Sequence, residues 1–138
     1  MSKLRLYTAG GFHGNWRDLV QAKLGHLFDI IDPLDKELDS EGKRKTGTTF
    51  DEYTAWDLWA IRTADIVLVY SEATNPGQGY IVEAGYAAGL GKTVILVREP
   101  DNKHMPDRYL NFIDCIANYK TDNLQHGIDF VASMSIKK

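Results

Sequence analysis

The chain of 138 residues is short of several things, and each shortage closes off a class of function. One cysteine, Cys115, permits no intrachain disulfide and no cysteine metal cluster. Its apolar neighbours Ile113, Ile116 and Ala117 suggest a buried structural thiol. The four histidines are scattered, and no His or Cys spacing fits a ligand set, so neither a metal nor another cofactor is expected. Basic charge is also scarce. Sixteen Lys and Arg against 19 Asp and Glu leave a net charge of −3, which speaks against a nucleic-acid polymer as partner. The concentrated basic run is Lys43 to Lys45, in an expected loop. No apolar run approaches the roughly 20 residues of a bilayer-spanning helix, and Met1 to Leu6 does not read as a signal peptide. The expected partner is therefore a small molecule rather than a membrane, and the expected location is the cytoplasm. There is no internal repeat and no low-complexity segment. What remains is one globular domain over residues 1–138, large enough for its own core.

Strand and helix patterns alternate along it. Lys3 to Ala9 alternates and then turns apolar, as a first strand does, and Gly10 and Gly11 end it. Asn15 is a candidate N-cap for a helix carrying Trp16, Leu19, Val20 and Leu24 at helical spacing. Leu27 to Ile31, ending at Asp32-Pro33, suggests a second strand, and polar Leu34 to Thr49 a surface loop. Phe50 to Ala64 is helical in pattern. Asp65 to Tyr70 is a continuous apolar run of the kind found inside parallel sheets. A glycine-rich turn and a short helix follow, then a fourth strand over Lys92 to Arg98 and a polar loop over Pro100 to Pro106. Arg108 to Asp114 reads as a helical turn, Cys115 to Tyr119 as a short edge strand, and Thr121 to Met134 as the closing helix. The sum is an α/β, three-layer, flavodoxin-like fold: a five-stranded, mostly parallel sheet in the order 2-1-3-4-5, with the ligand at the carboxyl ends of strands one and three.

That rule gathers the chemistry-bearing residues. The end of strand one delivers Tyr7, Gly10, Gly11 and Phe12. The end of strand three delivers Ser71 to Gly79, and the next helix carries Glu83. Glu83 is the one acid between Ala73 and Gly91, among apolar and tyrosine side chains, where an unpartnered carboxylate is costly to bury. It is either a helix-start acid favoured by the macrodipole or a nucleophile or base facing a pocket lined by the Gly77 and Gly79 backbone.

Four segments together resemble the nucleoside 2-deoxyribosyltransferase superfamily: LYTAGGF at 6–12 followed by NWRD, DLWAIRTADIVLVY at 57–70, GQGYIVEAGYAAGLGKTVILV at 77–97 and, more weakly, IDPLD at 31–35. The resemblance implies cleavage of the N-glycosidic bond of 2′-deoxynucleosides or their 5′-monophosphates, with transfer of the deoxyribosyl group to another base or to water. It implies Glu83 as nucleophile at an oxocarbenium-like centre, Tyr7 as the hydroxyl that orients it, and Asp57 as the acid that holds the base or handles its leaving proton. It also implies a homodimer or higher even oligomer, with Tyr53, Trp56, Trp59 and Tyr86 as surface candidates. Each residue has a plainer reading: Tyr7 as a strand tyrosine, Asp57 as a solvated helix acid, Trp56 as core rather than a base-stacking wall, His13 as an exposed loop side chain. The chain also departs from the family pattern. In place of an acid in the loop before the Glu helix it offers Asn75 or Glu72. After strand one it has no serine for a phosphate, and its one cation there, Arg17, falls inside the helix. Thr8, His13 and the amides of Gly10, Gly11 and Asn15 are what is left for an anion. An NAD-cleaving glycosidase and a catalytically silent nucleotide-sensing module are the other function classes.

Overall fold

The computed structural model describes residues 2–37, 49–74, 77 and 79–135. Five strands are described: β1 (Arg5–Gly10), β2 (Asp29–Ile31), β3 (Ile66–Ser71), β4 (Thr93–Arg98) and β5 (Tyr119–Thr121). They form one sheet in the order β2-β1-β3-β4-β5, with every neighbouring pair parallel. The helices are α1 (Trp16–Leu24), α2 (Pro33–Glu37), α3 (Phe50–Thr63), α4 (Gly79–Gly89), α5 (Asp107–Ile116) and α6 (Leu124–Ser133). No helix among the described residues is long and apolar enough to cross a membrane.

Strand alternation divides the core into two layers. On one face Tyr7, Ala9, Val67, Val69, Val94 and Leu96 pack with residues of α3, α4 and α5. On the other Leu6, Ile66, Leu68, Tyr70, Ile95 and Val97 pack with α1 and α6. β3 is buried at all six positions, the two-sided burial its unbroken apolar run foretells. Close approach fixes two glycines. A Cβ at Gly10 would stand 2.8 Å from both the Trp16 ring and the Tyr70 carbonyl oxygen, and one at Gly127 would stand 2.3 Å from Val97 Cγ2.

The structure corrects the sequence reading at several points. Leu34 does not open a loop: Pro33–Glu37 is a short helix, started by Asp32, whose Oδ1 accepts from the Leu34 amide at 2.9 Å. Residues 38–48 of the expected loop, with the basic run, lie outside the described residues. Cys115 and Ile116 belong not to a strand but to the last turn of α5, and Cys115 is exposed. Leu110 and Ile113 turn inward at helical spacing, which puts Cys115 on the outer face despite its apolar neighbours in sequence. The edge strand starts only at Tyr119, after Asn118 has taken both backbone groups of Val94 at 2.8 Å. Asn15 holds the N-cap position of α1 without a side-chain cap bond. α3, by contrast, opens on a reciprocal capping box between Thr49 and Glu52.

Candidate active site

A cavity of about 540 Å³, within the range of small-molecule sites, opens at the carboxyl ends of β1 and β3. Three stretches wall it. Gly10, Gly11, Phe12 and His13 come from the end of β1, and Tyr53, Thr54, Asp57 and Leu58 from one face of α3. Gly77, Gly79, Tyr80, Val82 and Glu83 come from the turn and first turns of α4. Gly10 can line the cavity because it carries no side chain into Trp16 and Tyr70. Tyr80, at the start of α4, is buried and lies 3.0 Å, hydroxyl to hydroxyl, from Ser71 at the end of β3. That contact ties the helix to the strand that feeds the turn.

Glu83 is the fifth residue of α4 and half-buried, with no acid in the first turn. Macrodipole stabilisation fades after the first turn, so the helix terminus does not account for this carboxylate. The Tyr7 hydroxyl does face it: it donates to Glu83 Oε2. Tyr7 is completely buried and sits behind the cavity wall rather than in it. Burial above all, then the charges of Glu83 and Asp57 and the bond to Glu83, pushes the Tyr7 hydroxyl well above its ordinary value. The phenol therefore stays a donor at any working pH. Asp57 is half-buried and lines the cavity from α3. Both carboxylates and the tyrosine thus converge on one place.

Behind the β1 end lies a buried ion pair. Arg17 of α1 is 6% exposed, and its Nη1 stands 2.7 Å from Asp32 Oδ1. The guanidinium also donates to Thr8 Oγ1 at 2.9 Å and to the carbonyls of Thr8, Gly10 and Gly11 at 3.2, 2.8 and 3.4 Å. Phe12 and Trp16 stack on it with ring centroids 4.9 and 4.5 Å away. Burial pulls the Arg17 guanidinium below its ordinary value and pushes the Asp32 carboxyl up, against the attraction between the two. Thr8 is likewise buried and bonded to Arg17, so neither residue presents itself to an anion in the cavity.

Of the other residues singled out from sequence, His13 lines the cavity from an exposed position. Trp56 does not line it: its ring packs half-buried against the core of that face, 6.3 Å between centroids from Trp59, which is 47% exposed. Glu72 lies just after β3, in a loop held by residues further on: Asn102 Nδ2 donates to the Glu72 carbonyl at 3.3 Å, and Glu99 accepts from the Ala73 amide at 3.0 Å. Asn75 lies outside the described residues. Tyr53, Thr54, Leu58, Tyr80 and Val82 join the lining without having been singled out for it. The signal for the α3 trio is present, since Tyr53 and Thr54 lie four and three positions before Asp57, and Leu58 lies four after Thr54.

No curated protein sequence matches the chain. Solved structures of similar fold include a conserved protein from Enterococcus faecalis V583, at 12% identity and a TM-score of 0.68, covering 96% of this chain and 99% of that one. A 2-deoxyribosyltransferase from Bacillus psychrosaccharolyticus gives 19% identity and 0.68, over 96% and 97%. A CMP N-glycosidase of Clostridium botulinum gives 17% and 0.57, over 93% and 98%. At these identities the likeness speaks for the fold. The sequence itself speaks for more: the family model described as "Nucleoside 2-deoxyribosyltransferase like" matches residues 3–100, the stretch that contains Tyr7, Asp57 and Glu83. The chain belongs to the nucleoside 2-deoxyribosyltransferase-like family.

Proposed function

We propose that the protein cleaves the N-glycosidic bond of 2′-deoxynucleosides and transfers the deoxyribosyl group to another nucleobase, with Glu83 as nucleophile. The observation that carries this reading is the buried Tyr7 hydroxyl donating to a cavity-facing Glu83 opposite Asp57. A carboxylate oriented by a buried hydroxyl donor is positioned to attack the anomeric carbon. As the C1′–N bond breaks, Asp57 hands a proton to the departing base, and Glu83 forms an ester to C1′ after an oxocarbenium-like transition state. The acceptor base then attacks C1′ from the face the first base left. Its N–H proton returns to Asp57, and the bond to Glu83 breaks.

The lining also supports a nucleoside over a 5′-monophosphate. Among the described residues it includes two carboxylates and one histidine but no lysine or arginine. A phosphate would meet like charge there, and Arg17, the cation behind the wall, is buried against the protein's own acceptors. We place the enzyme in the cytoplasm as a homodimer or higher even oligomer. Trp59 is an exposed aromatic such a surface could use, and sedimentation at micromolar concentration tests the assembly.

The test is incubation with a panel of deoxynucleosides and their monophosphates, with and without a second base. The expected result is a new nucleoside formed only when a second base is present. Free base released chiefly from monophosphates would replace transfer with hydrolysis, and no turnover of any substrate would leave a sensing module.

A further inference from the structure

The Arg17–Asp32 pair takes no part in the chemistry just described, yet it is built into the end of β1. Arg17 spans four residues there. Thr8, Gly10 and Gly11 are bound through carbonyls or a hydroxyl, and Asp32 closes the far side. Gly10 and Gly11 are themselves cavity wall, and Tyr7 precedes Thr8 on the same strand. So the segment that carries the Tyr7 hydroxyl to Glu83 is the segment this guanidinium holds. Its charge interacts with both Glu83 and Tyr7 as well as with Asp32.

We propose that Arg17 is a positioning residue for Glu83: it fixes the carboxyl end of β1 and supplies the positive charge that keeps the Glu83 carboxylate ionised beside Asp57. This rests on Glu83 being the working carboxylate. The titratable groups that share the cavity with Glu83 are Asp57 and Tyr53 from α3, Tyr80 from α4 and His13 from the loop after β1; Tyr7 of β1 bonds Glu83 from behind the wall, and Arg17 of α1 holds that strand end. Asp57 is a like charge in the same cavity and favours protonation of one of the two acids. Tyr7 donates to the ionised form but brings no charge. Arginine remains protonated at any working pH, so its field is constant. A cation placed behind the wall supports the nucleophile without competing with substrate for it.

Removing Arg17 alone would orphan the buried Asp32, so the comparison is made in the Asp32→Asn background, which retains the acceptor for Leu34. Proteins carrying glutamate labelled with carbon-13 at the side-chain carboxyl are titrated by NMR, and the Glu83 signal is assigned by its loss in Glu83→Gln. The Glu83 midpoint in Arg17→Met/Asp32→Asn should lie on the order of one pH unit above that in Asp32→Asn. Arg17→Lys/Asp32→Asn, which restores charge without the planar fork, should bring it back. Should the methionine protein not fold, Arg17→Gln in the same background takes its place. An unchanged midpoint, or one that lysine does not restore, overturns the proposal. Turnover of the nucleoside panel by wild type and Glu83→Gln reports on the glycosidic reading separately, because the titration is read with no substrate present.

Discussion

Two arginines stand at carboxyl ends of the sheet, each among carboxylates, and they do different things. Arg17 is 6% exposed and bonds chiefly to backbone at the end of β1. Arg98, the last residue of β4, has an 18% exposed side chain and, among the described residues, reaches side chains of α5: Asp107 at 2.8 Å, Asn111 at 3.2 Å and Asp114. Asp107 is largely in solvent, with a side chain 80% exposed. One arginine organises a strand end that walls a cavity; the other fastens a helix to the sheet. The residue type is the same, and burial together with the kind of acceptor decides whether the pair bears on the site.

The largest expected effect lies in front of Arg17. Glu83→Gln should lower glycosidic cleavage by roughly a thousandfold or more while the thermal midpoint stays close to wild type, because a nucleophile is lost and no core contact is. Steady-state assays and a melting curve read the two together. Arg17→Met should act on stability as well as on turnover, lowering unfolding free energy by about 3–5 kcal/mol in a urea titration, since it strands a buried carboxylate. Tyr7→Phe comes next. Losing one hydrogen bond to a charged group corresponds to about 1.5–3 kcal/mol, read as a roughly ten- to hundredfold drop in kcat/KM.

A smaller effect is one of pH. Tyr7 and Tyr70 both titrate above their ordinary value of 10.0 in the fold, burial being the leading cause for each. The unfolded chain therefore gives up these protons first. Their stabilisation is whole below about pH 10 and is lost as pH rises through the folded values. Tyr7→Phe should flatten that alkaline decline by about 1.4 kcal/mol per pH unit above pH 10, measured by urea unfolding across that range. The smallest effect belongs to the other arginine: Arg98→Met should cost under about 1 kcal/mol and leave turnover as it was. A large loss of activity in Arg98→Met would break the contrast between the two corners.

The same contrast explains what the sequence could disclose. Apolar runs such as Asp65 to Tyr70 name their own strands, and the sheet order follows from alternating strands and helices. The placing of Tyr7 and Glu83 is legible through the switch-point rule, and that of Asp57 beside them through the family resemblance alone. That of Arg17 is not, because its role depends on meeting carbonyls of residues six to nine positions earlier and a carboxylate fifteen later, and no local pattern encodes that. The full length of α5 and the exposure of Cys115 are not legible in the sequence, since apolar neighbours there point to different sides of a helix. Trp56 leaves two readings open in the sequence, core or stacking wall; one position from Asp57, it turns toward the core. The Thr49–Glu52 capping box, by contrast, was written plainly as Thr-x-x-Glu.

The central claim is that Glu83 attacks the sugar. A 2′-fluoro-2′-deoxynucleoside, turned over slowly without an acceptor base, should leave a covalent sugar on the enzyme. Mass spectrometry of the quenched, digested protein should place that mass on the peptide containing Glu83, and the Glu83→Gln protein should carry none. An active enzyme whose Glu83→Gln form turns over at the wild-type rate would contradict the account.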